Sequence, residues 1–127
     1  MVHYTVETQK TPKEMIQLLG ENLRKHNFGI LWQVNIKDKI RAKDIEVIGD
    51  YHVLEVCNPL EAHELLAKNT LAGYYLPCKI VVYEDEGITK IGMPKLTSLL
   101  GLIEDESVLE KARELEKKFI TIIDQTI

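Results

Sequence analysis

Two short blocks carry the residues best suited to chemistry: Cys57-Asn58-Pro59 and Pro77-Cys78. They hold the only cysteines in the chain. Asn58 and Pro59 have the character of an N-cap and a first-turn residue, so Cys57 stands just ahead of a helix start. The partial positive charge of a helix start stabilises a thiolate, and its free N–H groups can hold an anion. The competing reading makes Cys57 a small apolar residue closing a strand, because free cysteines are among the most buried residue types. Cys78 precedes Lys79, whose ammonium also favours a thiolate. Its alternation with Ile80 and Val82 points instead to the core. The spacing of the pair is neither C-x-x-C nor a zinc-ribbon pattern. An antiparallel return would bring the two thiols together and a parallel crossover would separate them, and the sequence leaves both open.

His63 follows on the same helix. A Cys57–His63 pair would suit nucleophilic chemistry or a soft metal. Alternatively, Ala62, Leu65 and Leu66 form the buried stripe of that helix and His63 is a partly exposed surface residue. Cys57, Cys78 and His63 offer three donors, and only His52 could add a fourth, so no metal or cofactor is assigned. Glu55 sits inside a strand pattern, where it faces either an open side of the sheet or an interface. Tyr74-Tyr75 precede Leu76-Pro77-Cys78 and read as cover for a sheet edge. The glycines are scattered and form no phosphate loop. There is no serine-hydrolase elbow, and the methionines do not cluster as a thioether copper site would require.

The elements that position these residues are legible from periodicity. Residues 2–8 alternate as a half-buried strand. Thr11-Pro12-Lys13-Glu14 opens a helix through a capping box, with Ile16, Leu19 and Leu23 as its stripe to about residue 25. Residues 30–36 alternate again, with Ile30, Trp32, Val34 and Ile36 on one face. Residues 37–44 hold a turn or two of helix. Residues 45–57 read as strand, with Leu54 and Val56 opposite in sense to Val53, Glu55 and Cys57. The helix from Asn58 runs to about Lys68. Residues 78–85 are the most hydrophobic strand, and Asp85-Glu86-Gly87 turns it into a short strand at 88–92. Pro94 starts a short helix. Ser107 with Glu110 forms a capping box for the last one, whose stripe is Val108, Ala112, Leu115, Phe119 and Ile122.

This order predicts one α+β domain over residues 1–127, a mostly antiparallel sheet with helices packed on one face. The uncovered face must then meet water, a ligand or a second subunit, which favours a homodimer with Trp32, Tyr51 and Val53 as contributors. At 127 residues the chain can bury a core without staples. Its 45% hydrophobic and 28% charged residues are ordinary for a globular protein. A net charge of −4 with no basic stripe argues against nucleic-acid binding. The first residues lack a signal-peptide pattern and no apolar run reaches membrane-spanning length, so neither export nor a membrane is expected. The expected compartment is the cytosol, where thiols stay reduced. Abundant Lys, Glu and Ile hint at a thermophilic source.

The blocks also resemble a known family. Phe28-Gly29-Ile30-Leu31 with Val34-Asn35-Ile36-Lys37, the run Tyr51 to His63, and Leu76-Pro77-Cys78-Lys79-Ile80-Val81-Val82-Tyr83-Glu84-Asp85 are similar to the family of domain of unknown function 302. The resemblance covers roughly residues 3–123. It implies a small prokaryotic α+β domain of TBP-like architecture that pairs as a homodimer, and it implies no reaction. It draws attention to Cys57, Asn58, Pro59, His63, Pro77 and Cys78. Two stretches depart from the family pattern: Val34-Asn35 replaces an acidic position, and Tyr74-Tyr75 replaces aliphatic residues. The function expected from these readings is a cytosolic homodimer that binds a small ligand or partner near Cys57, Asn58, His63 and Cys78. A thiol redox or thiol-transfer protein using Cys57, and a structural subunit of a larger assembly, stand beside it.

Overall fold

Alternating strands and proline-led helix starts set the chain's changes of direction. The structure, a computed structural model, describes residues 2–43 and 49–127. Strand β1 (His3–Thr8) leads into helix α1 (Pro12–Lys25). Thr11 caps α1 by accepting the Glu14 N–H at 3.2 Å, and Pro12 occupies the first turn. Strand β2 (Gly29–Asn35) and a short helix α2 (Ile36–Arg41) follow. Then come β3 (Tyr51–Cys57), α3 (Pro59–Lys68) and a 3₁₀ turn over Thr70–Tyr75. The hairpin β4 (Cys78–Asp85) and β5 (Ile88–Pro94) precedes α4 (Leu96–Leu100) and the long α5 (Glu106–Thr126). The part of the expected 45–57 strand before Gly49 lies outside the described residues.

The five strands form one antiparallel sheet in the order β1-β5-β4-β3-β2. The architecture is therefore the α+β one expected from the sequence. Glu86 and Gly87 both take positive φ, 52° and 80°, which is the two-residue turn whose twist suits a hairpin. Alternation then sorts the side chains. Leu54, Val56, Ile80, Val82, Ile91 and Met93 are buried beneath the helices. Their strand neighbours Val53, Val81 and Tyr83 lie on the opposite face and are only half-buried.

Helix α5 is the main cover of the core face. Its stripe Val108, Ala112, Leu115, Phe119 and Ile122 is buried as expected, and Phe119 stacks on Phe28 at 4.8 Å between ring centroids. Polar contacts fix it to its neighbours. Asn22 donates to Thr126 across α1 and α5 at 2.9 Å. Tyr4 of β1 donates to Asp124. The Thr97 N–H and hydroxyl both donate to Glu116, so α5 caps the start of α4.

Three local expectations are corrected. A bulge between Ile30 and Trp32 changes the register, so Ile30 pairs with Val56 on the core side while Trp32 and Val34 pair with Glu55 and Val53 on the open side. Ile30 and Trp32 therefore do not share a face. Pro94 ends β5 rather than starting a helix. The cap of α5 is Asp105, whose carboxylate accepts from the Ser107 and Val108 N–H groups. Asp105 competes better than Ser107 because its carboxylate also takes the Ser107 hydroxyl at 2.7 Å.

Gly92 lets β1 close against β5. A Cβ there would lie 2.7 Å from Thr5 Oγ1 and 3.0 Å from the Tyr4 carbonyl oxygen. We expect Gly92→Ala to destabilise the fold by about 1–3 kcal/mol, the range for forced overpacking. Urea denaturation measures it, and an unchanged midpoint would mean that β1 can retreat freely.

Candidate functional site

The site begins with register. Strand β4 returns antiparallel to β3, with Val56 opposite Cys78. Cys57, the next residue, thus lies one step away from Cys78 on the neighbouring strand. Both cysteines are free thiols. They line a single small cavity of about 10 Å³ under the start of α3. Phe28, Val56, Ala62, Leu65, Leu76 and Leu115 supply its apolar wall, and the Leu76–Pro77 peptide beside it is cis. Asn58 and Glu61 are its polar rim.

Asn58 acts as the helix cap that the sequence indicates. Its side-chain oxygen accepts from the N–H groups of Leu60 at 2.9 Å and Glu61 at 3.4 Å. This has a chemical consequence. Two of the amides that would stabilise a thiolate or an anion are already engaged. Burial therefore governs the thiols. It raises the Cys57 thiol above its usual pKa. It also pushes Cys78, only 6% exposed, up to about 12, with the charges of Cys57 and Glu61 adding to the effect. Desolvation thus outweighs a helix end whose amides are partly occupied.

Glu61 is the residue that sequence reasoning passed over. Its carboxylate is 12% exposed and faces two lysines of α5. Lys118 Nζ donates to Oε1 at 2.6 Å. Lys111 Nζ stands 2.7 Å from Oε2, an ion pair without a well-directed hydrogen bond. Lys111, 9% exposed, also contacts Glu64 at 2.6 Å and Glu114 at 3.9 Å. Burial pushes the Glu61 carboxyl up, but the two ammonium groups outweigh it and hold it below the usual range. Burial likewise works against the Lys111 charge, but Glu61 and Glu64 outweigh it and raise its pKa. The signal for this cluster was in the sequence: Lys111 falls within the apolar stripe of α5, one turn from Leu115.

His63 lies on the exposed side of α3 and is not among the residues lining the cavity. Leu66, expected in the buried stripe of α3, is 40% exposed; only Leu65 is fully buried there. His52 lines a separate groove with Lys13, Ile16, Gln33, Asn35 and Asp50. Glu55 lies on the open face, half-exposed, opposite Lys79 and Trp32. Tyr74 is exposed, while Tyr75 packs partly on the core. Among the described residues no group of three His, Cys, Asp or Glu side chains is placed to hold a metal ion. Nor is any helix among them long and apolar enough to cross a membrane.

Comparison with known proteins agrees with the fold. The family model "Domain of unknown function DUF302" matches residues 4–126. The chain belongs to the DUF302 family. An uncharacterised conserved DUF302 protein from Bacillus stearothermophilus, known from its crystal structure, is 42% identical. That match covers 100% of this chain and 99% of the other, with a TM-score of 0.97. No curated protein matches. Cys57-Asn58 and Leu76-Pro77-Cys78 of this DUF302 domain both line one cavity.

Two measurements test this electrostatic picture. In the folded protein at about pH 8.5 both thiols should react with iodoacetamide more slowly than an unperturbed thiol, Cys78 the slower of the two. Faster alkylation of Cys57 in the folded than in the unfolded protein would contradict it. For Glu61, a depressed pKa means stabilisation that is full above about pH 4.5 and lost as pH falls through the lower folded value. Glu61→Gln should cost about 1–3 kcal/mol at neutral pH, the usual penalty for stripping a partner from a buried charge. The gap to the unsubstituted protein should narrow at about pH 3. A gap of constant size across that range would assign the loss to packing rather than charge.

Proposed function

We propose that this DUF302 domain is a homodimeric binding module whose ligand sits in the Cys57–Cys78 cavity. One observation carries the reading: cysteines from two neighbouring strands line one small cavity together with Asn58 and the Glu61 carboxylate, the rest of its wall being apolar or Pro77. The ligand contacts in this reading are Cys57, Cys78 and the rim residues Asn58 and Glu61. His63 is outside it.

The dimer part rests on the sheet face turned away from the core among the described residues. Trp32, 51% exposed, lies there with Val34, Tyr51, Val53, Val81 and Tyr83. The Tyr51 and Tyr83 rings stack at 5.0 Å, and the patch is continuous across three strands. An antiparallel sheet tolerates a solvated face, but a contiguous apolar one marks an interface. A thiol-transfer role is not favoured, since both thiols are held above their usual pKa.

Light scattering on the purified protein should give a mass of about twice the 14.6 kDa monomer. Val53→Lys should return it to one copy with its fold intact. A monomer at every concentration would remove the dimer from the proposal. For the cavity, thermal shift is read against cysteine, glutathione, thiosulfate and the thiophilic cations Cu(I) and Zn(II). At least one member should raise Tm in the native protein and fail to do so in Cys57→Ser and Cys78→Ser. If no member shifts Tm in a cysteine-dependent way, the ligand reading is wrong.

A further inference from the structure

We infer that the cavity is a two-coordinate site for a single soft monovalent cation, Cu(I), held between the thiolates of Cys57 and Cys78. This inference rests on the ligand reading above and narrows it to one chemical class. Size is the first argument. A cavity of about 10 Å³ is at the lower limit for one water molecule and far below the space that small-molecule sites occupy. It suits one ion rather than an organic ligand.

Donor type is the second argument. Sulfur donors select soft metals, whereas Ca²⁺ and Mg²⁺ require six or more oxygen ligands. Zn²⁺ asks for a tetrahedral set, and no third His, Cys, Asp or Glu among the described residues joins these two thiols in a ligand group. Cu(I) is the soft first-row ion that is satisfied by two thiolates. The third argument is against an anion, because Asn58 engages the amides that would bind it. Cys57 is only partly buried and gives the ion a way in.

Binding replaces protons. Each thiol loses one, the ion gains two sulfur bonds, and two protons are released to solvent with no change in oxidation state. Because two protons leave for each ion bound, affinity should increase with pH. The apolar wall of Phe28, Leu65 and Leu115 keeps out further ligands and water.

The test is an anaerobic titration of the full chain with Cu(I) held by bicinchoninate. The expected result is uptake of one equivalent, release of two protons in weak buffer, and a thiolate-to-copper charge-transfer band. Cys57→Ser and Cys78→Ser should each weaken binding at least about 100-fold, as loss of one of two ligands demands. Circular dichroism checks their fold. Should a variant unfold, the proton count and charge-transfer band of the unsubstituted protein decide the question alone. No removal of copper from bicinchoninate, or equal uptake by both serine variants, overturns the inference. If copper fails while another compound of the thermal-shift panel still requires both cysteines, the metal assignment falls and the ligand reading stands.

Discussion

Because β4 pairs antiparallel with β3 and sets Val56 opposite Cys78, everything at the site follows from that register. A slip of one residue would turn each side chain of β3 to the other face. Leu54 and Val56 would leave the core, and Val53 and Glu55 would enter it. Burial of the first pair and half-exposure of the second therefore lock the register energetically. The position of Cys57 beside Cys78 is a by-product of that lock. It needs no attraction between the thiols themselves.

Helix α5 adds a second constraint through its charges. Lys111 lies in the apolar stripe, where an unpaired ammonium would be costly. It is tolerated because Glu61 and Glu64 meet it within 2.7 Å. The pairing fixes α3 against α5 and so holds one wall of the cavity. Buried ion pairs are weak contributors to net stability, since desolvation offsets the attraction. What they supply here is position: Glu61 cannot move away without leaving Lys111 unsatisfied.

Much of the fold was readable in the sequence. The caps at Thr11 and Asn58, the hairpin at Glu86-Gly87 and the stripe of α5 each rest on local rules, and local rules survive in the structure. What escaped, apart from the helix starts read at Pro94 and Ser107, is non-local. The bulge at Leu31 leaves no mark in an alternating run, because an inserted residue only shows against a partner strand. The meeting of Cys57 and Cys78 depends on strand order, which periodicity does not encode. Glu61 looked like ordinary first-turn helix chemistry until α5 brought Lys111 and Lys118 to it. The weight of desolvation at Cys57 is hidden for a related reason. A helix-end argument counts one element, while desolvation counts every element packed around the thiol.

Cys57 also marks where the two faces of the sheet communicate. By alternation it belongs with Val53 and Glu55 on the open side. As the last residue of β3 it is released from the ladder where Asn58 turns the chain into α3, and so it lines the cavity on the core side as well. Its partial exposure follows from this double position.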